Sequence, residues 1–238
     1  KMPIKVTPYQ HQEEAFKFAM KRFKKQSGVA LLVEMGCGKS LISVAVSGSL
    51  FKCQKIKKLL IVCPLSICGV WEEAFLKFAD FDYDLKILKG TSAQKIHMLN
   101  SLNGNCLQVA VVNYESVWRI ESQIKKWMPD MIICDESHKI KTHNTIASKS
   151  LHRLGEKTKY RMILTGTVIT NKAIDVFSQY KFLEPQVFGK SFYTFRNCYF
   201  DMSGYGNHIP VLKKSMEPDL KRKIHSIAFR ATKAECLD

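Results

Sequence analysis

Acidic residues are scarce in this chain. Its 238 residues hold 21 aspartates and glutamates against 37 lysines and arginines, a formal net charge of +16. So large an excess favours a polyanionic partner, nucleic acid first. A merely solvated lysine-rich surface would not explain why the basic residues cluster, at Lys21-Arg22, Lys24-Lys25, Lys52 to Lys58, Lys213-Lys214 and Lys221-Arg222-Lys223. No apolar run approaches the ~20 residues that span a bilayer. No secretory leader is read in Lys1-Met2-Pro3-Ile4-Lys5, so no membrane partner is expected. None of the eight cysteines forms a C-x-x-C pair, which leaves structural zinc without its usual ligand spacing. Cys63 and Cys134 lie in apolar runs, where a thiol serves as a small hydrophobe. A reducing, cytosolic compartment is expected on that usage. Internal repeats and low-complexity linkers are also missing. What remains is 46% hydrophobic and long enough for one large domain or two small ones.

The most informative stretch is Glu34-Met35-Gly36-Cys37-Gly38-Lys39-Ser40. The apolar run Val29 to Val33 feeds into it and Leu41 to Val46 follows, which reads as buried strand, glycine turn, helix. Glycines let the backbone turn its N–H groups toward one spot, and the helix N-terminus adds partial positive charge. Met35, Gly36, Cys37, Gly38, Lys39 and Ser40 therefore form a candidate cradle for the phosphates of ATP. Lys39 reaches the outer phosphates and Ser40 offers a hydroxyl to Mg²⁺. The strict pattern has a glycine five residues before Gly38, where this chain has Val33. Cys37 reads as a structural turn residue whose thiol lies near Lys39.

Along the chain, helices are expected over 9–26, from the turn to about Phe51, and over 67–79, 92–102, 115–127, 144–154 and 173–183. Strands are expected over 29–33, 59–63, 85–88, 107–112, 131–134 and 160–164. Such alternation implies an α/β domain with a parallel sheet covered by helices on both faces. Ligands on such sheets bind beyond the carboxyl ends of the strands. The polar motifs at 34–40, 64–66, 113–115, 135–138 and 165–167 all follow strands. After Pro185 the pattern loosens into an aromatic-rich stretch, a glycine loop and a basic helix over 217–225.

Nucleotide hydrolysis needs one carboxylate for the metal and another to polarise the attacking water. Asp135 is the candidate metal ligand, acting through water, and Glu136 the candidate general base. An acidic helix cap is the alternative for this pair taken alone. The phosphate turn upstream favours catalysis, with Lys39, Asp135 and Glu136 as its catalytic set.

The run Asp135-Glu136-Ser137-His138 resembles the Asp-Glu-x-His motif of superfamily 2 helicase-type ATPases, and the full set resembles SWI/SNF-type DNA translocases. Glu34 to Ser40 is similar to their phosphate motif. Val62 to Ser66 with Trp71 is similar to their Pro-Leu-Ser segment, and Val112 to Glu115 to their Thr-Tyr-Glu segment. Asp135 to Lys141 matches Asp-Glu-Ala-His-Arg-Ile-Lys closely. Leu164 to Thr167 with Asn171 is similar to Leu-Thr-Gly-Thr-Pro-x-x-Asn, with Val168 in place of the proline. The match covers roughly residues 8–183 in order. It implies a three-layer RecA-like ATP-binding lobe over 1–184, then a mainly helical or irregular subregion over 185–238 leading to a second lobe.

The resemblance also implies an adenine-reading glutamine. Gln12 is chosen because Ala15, Phe16, Phe18 and Ala19 then fall at the family's small and apolar positions, with Gln10 as second choice. His138 would link the nucleotide to Thr165, Gly166 and Thr167, which pass its state to the nucleic-acid track. Pro64, Leu65 and Ser66 would lie along one strand of double-stranded DNA, with Lys139, Lys141 and Arg119 as further contacts. The family motor closes two lobes around ATP, and the second supplies an arginine to the transferred phosphate. No such motif follows residue 183, so the chain is expected to be one lobe of a longer protein, monomeric and weak in hydrolysis by itself.

A strand-separating DNA or RNA helicase lobe, a non-catalytic nucleic-acid module and a P-loop kinase remain as alternatives. The compact, lysine-rich lobe suggests a bacterial or phage source. The expected place is then bacterial or infected-host cytoplasm, or the nucleus of a eukaryote.

Overall fold

The computed structural model describes residues 1–167, 169 and 172–236. Val168 and Asn171, which carry one departure from the family pattern and one match to it, lie outside them. In chain order the main elements are α1 (Gln10–Phe23), β1 (Gly28–Val33), α2 (Lys39–Lys52), β2 (Lys58–Cys63), α3 (Cys68–Phe78), β3 (Tyr83–Ile87), α4 (Ser92–Asn100) and β4 (Leu107–Asn113). Then come α5 (Tyr114–Val117), α6 (Glu121–Trp127), β5 (Met131–Asp135), α7 (Ile146–Lys157), β6 (Tyr160–Thr165), α8 (Val176–Leu183) and α9 (Phe192–Tyr199). The antiparallel pair β7 (Phe200–Ser203) and β8 (Ile209–Leu212), α10 (Glu217–Ser226), β9 (Ala228–Ala231) and α11 (Lys233–Cys236) complete the described residues.

Seven strands form one sheet in the order β3-β4-β2-β5-β6-β1-β9, and each pairing is parallel. Side chains alternate across it. Val29, Leu31, Ile61, Ile133 and Met162 face α1, α2 and α3 on one side. Leu32, Leu60, Val62, Ile132 and Ile163 face α5 to α10 on the other. Every residue of β1, β4, β5 and β6 is buried. That is why these strands read as largely apolar runs, interrupted only at Gln108 of β4 and Arg161 of β6, and each fully buried Leu, Ile or Val contributes about 1.5–3 kcal/mol.

Two elements differ from the sequence reading. The helix expected over 115–127 is α5, a 3₁₀ turn at Trp118–Ile120, and α6. The loosened region after Pro185 returns a seventh strand, since β9 pairs with β1 from Ala30↔Ala228 to Val33↔Ala231. This edge strand is four residues long, Ala-Phe-Arg-Ala, and its single polar residue leaves neither an apolar run nor an alternation to stand out.

His152 on α7 is buried, and its Nε2–H donates to the Ser178 carbonyl at 2.9 Å. Burial chiefly, with Lys181 and His143 adding repulsion against the favourable Ser178 bond, holds its imidazole down at about 4. The unfolded chain binds that proton near pH 6.5. The folded state therefore keeps its full stability above about pH 6.5 and loses it progressively as pH falls toward 4, by about 3 kcal/mol. Thermal melts across that range should record the loss, and His152→Gln should flatten it. Parallel curves for the two proteins would assign the loss elsewhere.

Candidate functional site

β1 ends at Val33 and α2 starts at Lys39, so the intervening turn lies at the carboxyl edge of the sheet. Gly36 and Gly38 hold φ of +91° and +88°, a region that L side chains avoid. A Cβ at Gly38 would also lie 2.2 Å from Gln12 Nε2, so a side chain there would push the Gln12 amide off the turn. Cys37 turns its carbonyl away from the cradle. That oxygen lies 2.9 Å from His11 Nε2 and accepts from Gln12 Nε2 at 3.4 Å. Among the described residues no backbone acceptor meets the N–H groups of Gly36, Gly38, Lys39 and Ser40. These orphan donors at a helix start are what an anionic phosphate chain fits.

The C-terminal strand braces the turn. Glu34 N–H donates to the Ala231 carbonyl at 3.2 Å, and Lys233 N–H donates to Glu34 Oε2 at 3.0 Å. Gln12 is buried, and its Oε1 accepts from Tyr9 N–H at 3.0 Å. Gln10, the second choice for the adenine reader, is exposed and donates to Glu14 at 3.0 Å.

Across the sheet edge, β5 ends at Asp135. Two groups fix this carboxyl: Trp71 Nε1–H donates to Oδ2 at 3.2 Å and Glu136 N–H donates to Oδ1 at 2.9 Å, while the Tyr114 hydroxyl holds the residue's main-chain carbonyl at 2.8 Å. Burial first raises the Asp135 carboxyl to about 6. Lys39 opposes that shift, Glu136 adds to it, and the Glu136 and Trp71 hydrogen bonds oppose it. A buried carboxylate so poised gains strongly from a divalent cation. The Asp135 carboxylate and the Ser40 hydroxyl are oxygen donors of the kind Mg²⁺ takes.

Glu136 adopts a left-handed backbone, φ +50° and ψ +53°, which costs a non-glycine residue of order 1 kcal/mol. Its carboxylate lies between two groups, 3.4 Å from Lys39 Nζ and 3.3 Å from His138 Nδ1. Lys39, Asp135, Glu136 and His138 thus meet at one edge, brought together from β5 and from the start of α2.

Other sequence candidates lie apart from that centre. Among the described residues no hydrogen bond joins His138 to Thr165 or Thr167. Thr165 Oγ1 instead donates to the Thr167 carbonyl at 2.8 Å, which folds the Thr165-Gly166-Thr167 turn on itself. Pro64, Leu65 and Ser66 follow β2, with Leu65 and Ser66 exposed. Lys139 is exposed, Lys141 Nζ lies 3.8 Å from Asp175 Oδ2, and the Arg119 guanidinium covers the Trp118 ring. The sequence argument misses His11, and it names Trp71 and Tyr114 as motif members without assigning them to the support of Asp135. His11 lies beside the Gln12 position and the other two lie inside quoted motifs, yet none is of a type that announces its role.

The SNF2-related domain model matches residues 11–236. The chain belongs to this family. The SNF2-related lobe is 30% identical over 207 residues to a "DNA repair and recombination protein RAD54-like" of Drosophila persimilis, covering 79% of this chain and 26% of that protein. It is also 30% identical over 198 residues to a "Probable chromatin-remodeling complex ATPase chain" of Oryza sativa subsp. japonica, covering 81% of this chain and 17% of the relative. The solved "Sulfolobus solfataricus SWI2/SNF2 ATPase core in complex with dsDNA" superposes with a TM-score of 0.79 at 27% identity, over 98% of this chain and 46% of that one. The chain thus spans less than half the length of these relatives. Its α/β architecture is the RecA-like lobe of a SWI/SNF-like ATPase.

Proposed function

We propose that this SNF2-related lobe is the ATP-binding N-terminal half of a motor that couples ATP hydrolysis to movement along double-stranded DNA. The observation that carries the reading is the 3.4 Å approach of Lys39 Nζ to Glu136 Oε1 beside the buried Asp135, between segments 97 residues apart. In this reading the turn from Met35 to Ser40 holds the phosphates, Lys39 binds the outer ones, and Ser40 and Asp135 hold Mg²⁺. Bound Mg²⁺ supplies positive charge to the phosphate oxygens. Glu136 is the general base, and its position next to Lys39 and His138 orients its carboxylate. Gln12, fixed against the cradle, reads adenine, while Gln10 faces solvent.

Thr165, Gly166, Thr167 and His138 relay the nucleotide state. Pro64, Leu65, Ser66, Lys139 and Lys141 follow the DNA backbone. Residues 1–184 form the body of the lobe. The subregion that follows packs on it, with β9 in the sheet, and leads toward a second lobe of the same parent chain. The protein works as a monomer. A bacterial or phage source rests on the compact, lysine-rich lobe alone, since the relatives named above are eukaryotic and archaeal.

Hydrolysis by the parent protein, measured with duplex DNA, single-stranded DNA and RNA in parallel, tests the reading. Duplex DNA should stimulate most, and the stimulation should fall with added salt because phosphates carry the contact. Preferential stimulation by single strands or RNA would replace translocation on duplex with a strand-separating activity. No stimulation by any polymer would remove the nucleic-acid track.

A further inference from the structure

Eight thiols are free among the described residues, and Cys63 and Cys68 face one another in the interior. Cys63 closes β2 and Cys68 opens α3, and their sulfurs are 3.5 Å apart. Both are buried, at 0% and 5% exposure. The Cys68 thiol lies 3.6 Å from the Pro64 carbonyl and donates to it, which leaves Cys63 as the donor to Cys68. The chain of bonds therefore runs Cys63 to Cys68 to Pro64, across the base of the exposed turn at Leu65 and Ser66.

A disulfide needs its sulfurs ~2.05 Å apart, so the pair must close by roughly 1.5 Å. Rotation about the side-chain bonds of either residue moves a sulfur on that scale. Cys68 also sits in the first turn of an eleven-residue helix, where a thiolate is favoured. The hydrogen bond from Cys63 lowers the Cys68 thiol, with Lys89 assisting and burial and Glu115 opposing. The same contact, and burial after it, raise Cys63. The two thiols are thus unlike, one suited to attack and the other to resolve.

We infer that Cys63 and Cys68 are a reversible disulfide site that clamps the Pro64–Ile67 turn when the protein meets a peroxide. The Cys68 thiolate attacks hydrogen peroxide. An S–O bond forms, the O–O bond breaks, and the departing hydroxide takes a proton to leave as water. The Cys63 sulfur then attacks Cys68 Sγ, the S–S bond forms, and the expelled hydroxide leaves as a second water with the Cys63 proton. Two thiols lose two electrons and one peroxide gains them. A dithiol reductant reverses the step by exchange. In a reducing compartment such a bond is transient, the usual form of a cytosolic redox sensor. The turn is the one that the proposed function gives to DNA, but the inference rests on the thiols alone.

Trypsin cuts after Lys58 and Lys77, so both cysteines leave on one peptide with no third. The full chain is treated with hydrogen peroxide, alkylated under denaturing conditions and digested. The expected peptide is two hydrogens lighter than the reduced form and unalkylated, and dithiothreitol before alkylation restores two labels. In Cys63→Ala, Cys68 should instead be trapped as a sulfenic acid by dimedone. Two fully alkylated cysteines at a dose that oxidises exposed Cys53 and Cys198 overturn the inference. So does a bond from either residue to a third cysteine.

Discussion

Glu136→Gln in the parent protein is expected to lower duplex-stimulated ATP hydrolysis by roughly 10²–10⁴, the usual contribution of a positioned general base. The amide keeps the shape of the side chain and an oxygen that can face Lys39. It cannot take a proton from water. Nucleotide affinity should therefore change little while turnover collapses, a split that misfolding would not give. The substitution also removes a negative charge beside Asp135. Since Glu136 is one of the groups that raise Asp135 to about 6, metal-dependent nucleotide binding should persist to lower pH in the variant. Titrations over pH 5–7 would record that displacement. Unchanged turnover would remove Glu136 as the base and leave the cradle without a hydrolytic partner.

Separating this lobe from the rest of its parent should have a still larger effect. The site described above contributes Lys39, Asp135 and Glu136 from one sheet edge, and the proposed mechanism takes its arginine from another lobe. A stabilising arginine in related nucleotidases is worth roughly 10³–10⁵ in rate. The 238-residue chain should thus hydrolyse ATP about that much more slowly than the parent with duplex DNA. Adding DNA to the isolated lobe should do little, because one half of the closing motion is missing. Robust DNA-stimulated turnover by the lobe alone would show that no second lobe is required.

Much of the fold is legible because parallel strands buried on both faces leave unbroken apolar runs. Leu59 to Cys63 and Met131 to Cys134 differ from β2 and β5 by a single residue at one end. The phosphate turn is legible for a different reason, since left-handed backbone at Gly36 and Gly38 demands glycine. β9 is not legible, because a four-residue edge strand with Arg230 pointing outward carries no run. The break at Trp118–Ile120 is hidden as well. Val117, Ile120 and Ile124 keep a helical spacing and are all buried, so the periodicity continues through a tighter turn. The support of Asp135 by Trp71 and Tyr114 depends on which strands are neighbours. β5 lies beside β2, and β2 beside β4, an order that pattern alone does not give. The choice between Gln10 and Gln12 illustrates the converse. Spacing of apolar residues on α1 is a local property, and it selects the glutamine that packs on the cradle.

The most direct test of the central claim, that residues 34–40 with Asp135 form a nucleotide phosphate site, is a titration of the 238-residue chain with Mg·ATP by calorimetry, beside Lys39→Ala. Measurable binding by the wild-type chain, weakened about 10- to 100-fold by the substitution, is predicted from the loss of a charge-assisted contact to phosphate. Equal affinity in the two proteins would contradict it.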